Sequence, residues 1–155
     1  MRTGIGYDIH RLISGRPLVL GGVAIPYEKG LQGHSDADVL VHAVCDALLG
    51  AAAMGDIGRH FPDTDPAWEG VSSLLLLSET WRMASLNFRS VVNVDATIFA
   101  QKPRLMAYVD AMAQNLAECL GIAADRINIK ATTTEGLGII GQCEAMAAMS
   151  VVLLE

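Results

Sequence analysis

Residues 144–154 read EAMAAMSVVLL, apolar everywhere except Glu144 and Ser150. That is the pattern of a strand buried on both faces, and so of a sheet covered by other elements. Working back from it, residues 126–134 read as a strand that runs into polar loop. Residues 105–120 place Leu105, Val109, Met112, Leu116 and Leu120 close to a 3.6-residue period, which predicts a helix ended by Gly121. Residues 91–100 (VVNVDATIFA) predict a strand closed by Pro103, and residues 71–86 a helix. GDIGRHFPDTDP, residues 55–66, is too rich in Gly, Pro and Asp to be regular and reads as an active-site loop. A helix is predicted to begin at the capping-type signal Ser35-x-x-Asp38 and to run to about residue 54. Residues 28–33 read as loop. Residues 18–25 read as a strand pair turning at Gly21-Gly22 and stopped by Pro26. At the N-terminus Ile5, Tyr7 and Ile9 alternate with Gly6, Asp8 and His10, the period of a strand with two unlike faces. Strands and helices interleave, so the class is α/β or α+β, a mixed sheet covered by helices.

With 155 residues the chain has the size of one domain, residues 1–155. It is 52% hydrophobic and 18% charged, which excludes disorder and falls below the charged share usual for a soluble monomer. Surface hidden in an oligomer is the expectation. The net charge of −6 offers no basic face for nucleic acid. No apolar run reaches membrane-spanning length, and MRTGIG lacks the apolar core of a signal peptide. Cys45, Cys119 and Cys143 are widely spaced and odd in number, and they read as small buried fillers.

Five constellations carry possible chemistry. Asp8-x-His10 projects two side chains from one strand face about 6–7 Å apart along the chain, a workable bite for a metal ion or merely a polar pair at a sheet edge. His42 shares a helix face with Asp38 and Asp46 and sits among apolar neighbours, so it is either a satisfied core histidine or a ligand. Added to Asp8 and His10, it completes a two-His, one-Asp set that leaves a tetrahedral position open, with Asp38 or Asp46 available to orient it. Gly55–Gly58 and Phe61–Asp65 read as a ligand loop or an Asp-rich turn. Lys130-Ala-Thr-Thr-Thr-Glu135 offers hydroxyls and a positive charge to phosphate, with Glu135 an oxygen ligand for a hard cation; β propensity alone also explains the threonines. Ala100-Gln-Lys-Pro-Arg-Leu-Met106 is a strand-to-helix entry suited to a base edge and a phosphate, or simply a Pro-started helix.

GYDIHRL, IPYEKGLQGHSDADVLVHAVCDALLGAAAMGDIGRHFPDTDP and IKATTTEGLG, in that order and spacing, resemble the 2-C-methyl-D-erythritol 2,4-cyclodiphosphate synthase family along essentially the whole chain. The resemblance implies an α+β subunit, a mixed four-stranded sheet with helices on one face plus a small hairpin, in a homotrimer with active sites between subunits. It implies cyclisation of 4-diphosphocytidyl-2-C-methyl-D-erythritol 2-phosphate with release of CMP, in the non-mevalonate isoprenoid pathway, in the cytoplasm or a plastid stroma. Asp8, His10 and His42 match zinc ligands, and Glu135 matches the ligand of a Mg²⁺ or Mn²⁺ that bridges substrate phosphates. His34 and Thr133 match positions of transition-state support. Ser35, Asp56, Ile57, Gly58, Phe61, Pro62, Asp63, Thr64 and Asp65 match the erythritol phosphate pocket. Ala100, Gln101, Lys102, Pro103, Arg104, Leu105, Met106, Thr132 and Thr134 match a cytidine diphosphate pocket built largely from a neighbouring subunit.

The chain departs from that pattern at Ile139, where an aromatic is usual, and at Gln142, where an Arg is usual. In the family that Arg is associated with substrate and with a phosphate of an isoprenoid diphosphate on the trimer axis. Gln cannot supply its forked, charged contact. Two other readings stand beside the cyclase: a zinc phosphohydrolase that activates water through the same three ligands, and a non-catalytic trimer that senses nucleotide or isoprenoid diphosphate.

Overall fold

The computed structural model describes residues 1–155. Seven strands form: β1 (Arg2–Ser14), β2 (Leu18–Leu20), β3 (Val23–Ile25), β4 (Lys29–Leu31), β5 (Val91–Phe99), β6 (Ile127–Thr132) and β7 (Ala145–Leu154). Five make one sheet in the order β4-β1-β7-β5-β6, while β2 and β3 pair as a separate hairpin. The helices are α1 (Val39–Ala52), α2 (Ile57–His60), α3 (Ser73–Ala84), α4 (Val109–Leu120) and α5 (Gly138–Gly141). β7 is antiparallel to both neighbours, so that Met149 lies between Tyr7 and Thr97. β5 and β6 are parallel, which requires a crossover connection, and α4 provides it.

The close approach of α1 to β1 positions the site. Gly4 and Gly6 face α1. A Cβ at Gly4 would overlap the Ala47 carbonyl oxygen, and one at Gly6 the Ala43 carbonyl oxygen. The helix therefore rests on the strand's backbone, and its own contacting residues are alanines. His42 immediately precedes Ala43, and Asp8 lies two residues beyond Gly6 on the same strand face. The close contact thus carries His42 onto Asp8.

Asp38 fixes the start of α1. One carboxylate oxygen accepts the Val41 N–H at 3.2 Å, and the other accepts the Gly22 N–H at 2.7 Å. The helix is capped and the β2–β3 turn is pinned by one side chain. Burial pushes the Asp38 carboxyl up to about 6, against the opposing pull of the Gly22 N–H.

Several expectations need correction. The sheet has five strands, not four, because residues 29–31 pair with the end of β1 instead of forming loop. Gly30 makes this possible: a Cβ there would strike the Pro17 and Arg16 carbonyl oxygens. The cap of α1 is Asp38 and not Ser35, whose hydroxyl accepts the Ala37 N–H instead. The loop at 55–66 contains the single turn α2, and α5 arises in a glycine-rich stretch with no readable period. β7 is not buried on both faces. Its inner side is covered by α1, but Met149 and Val151 on the outer side are 38% and 43% exposed, next to exposed Ile5 and Tyr7 of β1. No helix is long and apolar enough to cross a membrane.

Gly6→Ala is expected to destabilise the fold by about 1–3 kcal/mol, since neither the strand nor the helix backbone can yield without moving the other. Denaturant unfolding measures this. A variant as stable as the parent would contradict the contact.

Candidate metal centre

β1 projects Asp8 and His10 from one face, and the end of the first turn of α1 lowers His42 onto them. Asp8 Oδ2 lies 2.8 Å from His10 Nε2 and 3.0 Å from His42 Nδ1, and the two ring nitrogens are 3.2 Å apart. One ligand atom from each of the three residues lies within 4.8 Å of the others, a grouping able to hold a divalent cation. Burial acts to raise the Asp8 pKa, but hydrogen bonds from His10 and His42 outweigh it and hold the carboxyl well below the usual carboxylate range. Burial acts to lower His10, but the hydrogen bond and charge of Asp8 win and raise it. The Asp8 carboxylate therefore favours a proton on His10 until a cation displaces it.

The far nitrogen of each imidazole is also engaged. His10 Nδ1 donates to the Gln32 carbonyl at 2.7 Å. His42 Nε2 meets the Ser73 hydroxyl at 2.9 Å and the Ser35 hydroxyl at 3.2 Å. Neither Asp38 nor Asp46 orients His42, contrary to the sequence reading. Asp38 is spent on the helix cap, and Asp46 accepts the Ile57 N–H at 2.7 Å, which anchors α2. Burial is the main cause that raises Asp46. Ser73, at the first turn of α3, and Asp36, which accepts its hydroxyl, were missed. They lie far apart in sequence, and no local period links them.

The triad opens into a cavity of about 430 Å³, also lined by His34, Ser35, Ile57, Gly58, Phe61, Pro62, Asp63 and Trp68. Asp56 and Asp65 cap short helical turns, accepting the Arg59 and Ala67 N–H groups. His34 Nε2 meets the Asp65 carbonyl oxygen at 3.2 Å, and Arg16 donates to the Gly33 and Ser35 carbonyls at 2.8 Å each. Phe61 stands edge-on to Trp68, their centroids 5.0 Å apart. Thr64 is exposed and outside the cavity.

A second cavity, about 650 Å³, lies at the other end of the sheet between β6 and the entry to α4. Ala100, Gln101, Pro103, Arg104, Leu105, Met106, Thr132 and Thr133 line it, whereas Lys102, Thr134 and Glu135 do not. Glu135 accepts the Thr133 hydroxyl at 2.8 Å and is not brought to the triad. Three strand spacings separate β1 from β6, about 14 Å. Lys130 is paired with Asp95 at 2.6 Å. Gln142 donates its amide to the Gly136 carbonyl at 3.0 Å, and Ile139 is exposed. Of the cysteines, Cys45 is buried, with burial pushing its thiol up, while Cys119 and Cys143 are half-buried.

The YgbB family model matches residues 1–155. A Desulfosudis oleivorans protein named 2-C-methyl-D-erythritol 2,4-cyclodiphosphate synthase is 68% identical over 154 residues, covering 99% of this chain and 92% of its own. A protein of the same name from Alkaliphilus metalliredigens is 59% identical, covering 98% and 96%. Among solved structures, a CDP-bound 2C-methyl-D-erythritol-2,4-cyclodiphosphate synthase superposes with a TM-score of 0.89 at 38% identity, covering 99% of this chain and 100% of that one. The bifunctional IspDF of Campylobacter jejuni gives 0.93 at 45% identity, covering 97% of this chain and 41% of that one. A match along every residue, joined to identity of this order over nearly full length, means that the chain belongs to the YgbB family.

Proposed function

We propose that this protein converts 4-diphosphocytidyl-2-C-methyl-D-erythritol 2-phosphate to 2-C-methyl-D-erythritol 2,4-cyclodiphosphate and CMP, as its relatives' names imply. The observation that carries the reading is the convergence of Asp8, His10 and His42 at the mouth of a cavity roomy enough for a phosphorylated polyol. A phosphate oxygen at the substrate's 2-position attacks the β-phosphorus. The bond from that phosphorus to the oxygen bridging α and β breaks, and CMP departs with that oxygen. No water is consumed. Attack within one molecule needs no protein nucleophile, and orientation alone can supply roughly 7–11 kcal/mol of the barrier.

The donor set fits zinc: two imidazoles and one carboxylate, each histidine held by its far nitrogen. Glu135 and the substrate phosphates suit Mg²⁺ or Mn²⁺. When bound, the two cations neutralise charge on the phosphates as it develops. The chain's own residues do the holding. His34 and Ser35, kept in place by Arg16 on the loop backbone, face the cavity with Asp63 and receive the erythritol phosphate. Ile57, Gly58, Phe61 and Pro62 form the surrounding wall, and Asp56 and Asp65 support it by capping its short helical turns. Ala100, Gln101, Pro103, Arg104, Leu105, Met106 and Thr132, which line the second cavity, receive the cytidine diphosphate, and the CDP carried by one structural relative supports a ligand of that kind. His34 and Thr133 support the transition state.

We take a complete site to combine one cavity from each of two neighbours, a reading supported by the two cavities sharing no residue in one chain. We assign a homotrimer of 1–155 domains, with the apolar outer face of β1 and β7 turned inward. We assign the reaction to the cytoplasm, which the bacterial source of the relatives supports. Gln142, committed to Gly136, leaves the trimer axis without the family's guanidinium.

His42→Ala is expected to lose zinc and CMP release together. Glu135→Ala is expected to keep zinc and lose activity dependent on the second cation. Metal analysis and ³¹P NMR report both. A linear phosphate product carrying isotopic oxygen from solvent water would replace cyclisation with hydrolysis. Sedimentation is expected to give a trimer mass, and Tyr7→Asp on the apolar face to reduce it. A monomeric parent with full activity would refute the shared site.

A further inference from the structure

We infer that Ser73, backed by Asp36, is a positioning residue for His42: its hydroxyl accepts the Nε2–H of that imidazole and so keeps the Nδ1 lone pair directed at Asp8 and His10. The inference rests on the cation-binding reading of the triad given above.

A cation placed between Asp8 and His42 needs Nδ1 free of its proton, which leaves Nε2 as the N–H. The group facing Nε2 must then be an acceptor. Two hydroxyls stand there, Ser73 at 2.9 Å and Ser35 at 3.2 Å, and a hydroxyl can either donate or accept. Ser73 has no such choice. Its oxygen also contacts Asp36 Oδ1, a carboxylate that only accepts, so the Ser73 proton is committed and only its lone pairs face His42. Ser35 lacks that constraint: its oxygen takes the Ala37 N–H at 3.1 Å and touches no carboxylate.

Asp36 is held for this task. Its second oxygen accepts the Ser73 N–H at 3.0 Å, so that one carboxylate grips both polar groups of the serine. The Asp36 N–H donates to the Val71 carbonyl at 3.1 Å, and Gly70 N–H to the His34 carbonyl at 2.9 Å, stitching the segment before α1 to the segment before α3. Ser73 is fully buried, and no side chain of Ser72 caps α3, so Asp36 also serves the first free N–H of that helix. His10 contrasts with this, since a backbone carbonyl sets its tautomer. Only His42 has an orientation that depends on replaceable side chains.

The test is Zn²⁺ affinity of the metal-stripped full-length protein by chelator competition, with the unfolding midpoint recorded for each variant. Ser73→Ala is expected to weaken Zn²⁺ binding about 10- to 100-fold. Asp36→Asn is expected to weaken it less, and the double variant no further than Ser73→Ala, because Asp36 acts through the serine. In Zn²⁺-loaded parent protein the His42 Hε2 proton is expected to resonate downfield and exchange slowly, a readout that needs no variant to fold. Parental Zn²⁺ affinity in Ser73→Ala, additive losses in the double variant, or a rapidly exchanging Hε2 in the parent would overturn the assignment. His42→Ala separates the two readings. If it weakens Zn²⁺ binding while Ser73→Ala does not, only the positioning role fails; if it leaves Zn²⁺ binding unchanged, the metal centre itself is misassigned.

Discussion

Backbone-to-backbone contact between β1 at Gly4 and Gly6 and α1 at Ala43 and Ala47 sets the geometry on which the rest depends. Ordinary helix-on-sheet packing interposes two layers of side chains. Here the layers are removed locally, and the helix axis drops toward the sheet. At that reduced separation an imidazole from the helix reaches a carboxylate on the strand, as His42 Nδ1 reaches Asp8 at 3.0 Å. The glycines carry an entropic cost of about 0.5–1 kcal/mol each relative to alanine. They offset it by letting the alanines of α1 bury against the strand without a gap.

The same strand explains why part of the molecule could be read in advance. Alternation of Gly6, Asp8 and His10 with Ile5, Tyr7 and Ile9 has a period of two, and the structure keeps it: polar and small residues inward, apolar residues outward. His42 was legible because a histidine among apolar residues on a helix requires a partner. Its actual partners were not. Asp38 and Asp46 fall on the right helical face, but both carboxylates find backbone N–H groups first. Ser73 reaches His42 only through the docking of α3 on α1, a tertiary fact with no trace in local pattern. The fifth strand was hidden for a related reason: three residues with a central glycine have no alternation to show.

The outer face of the sheet resolves what the composition left in tension. A chain that is 52% hydrophobic and carries few charges should conceal more surface than its own helices cover. The apolar pattern of residues 144–154 predicts burial on both faces, yet the second face has no cover within one chain. The proposed homotrimer answers both that discrepancy and the separation of the two cavities, since a neighbour would cover the outer face.

The acidic charge follows from the same division. Few cations of the chain are free near the two cavities, since Arg16 is spent on loop carbonyls and Lys130 on Asp95. A polyanion bound there would meet hydroxyl and imidazole donors and Arg104, but also the carboxylates of Asp8 and Asp63, whose repulsion divalent ions would offset. Affinity for a polyanion then depends on how well the protein pre-arranges cation ligands, and a displacement of about 1 Å can cost a hundredfold in rate. A fold that places its ligands on a strand, and on a helix pressed against that strand's bare backbone, meets this demand better than one that places them on loops.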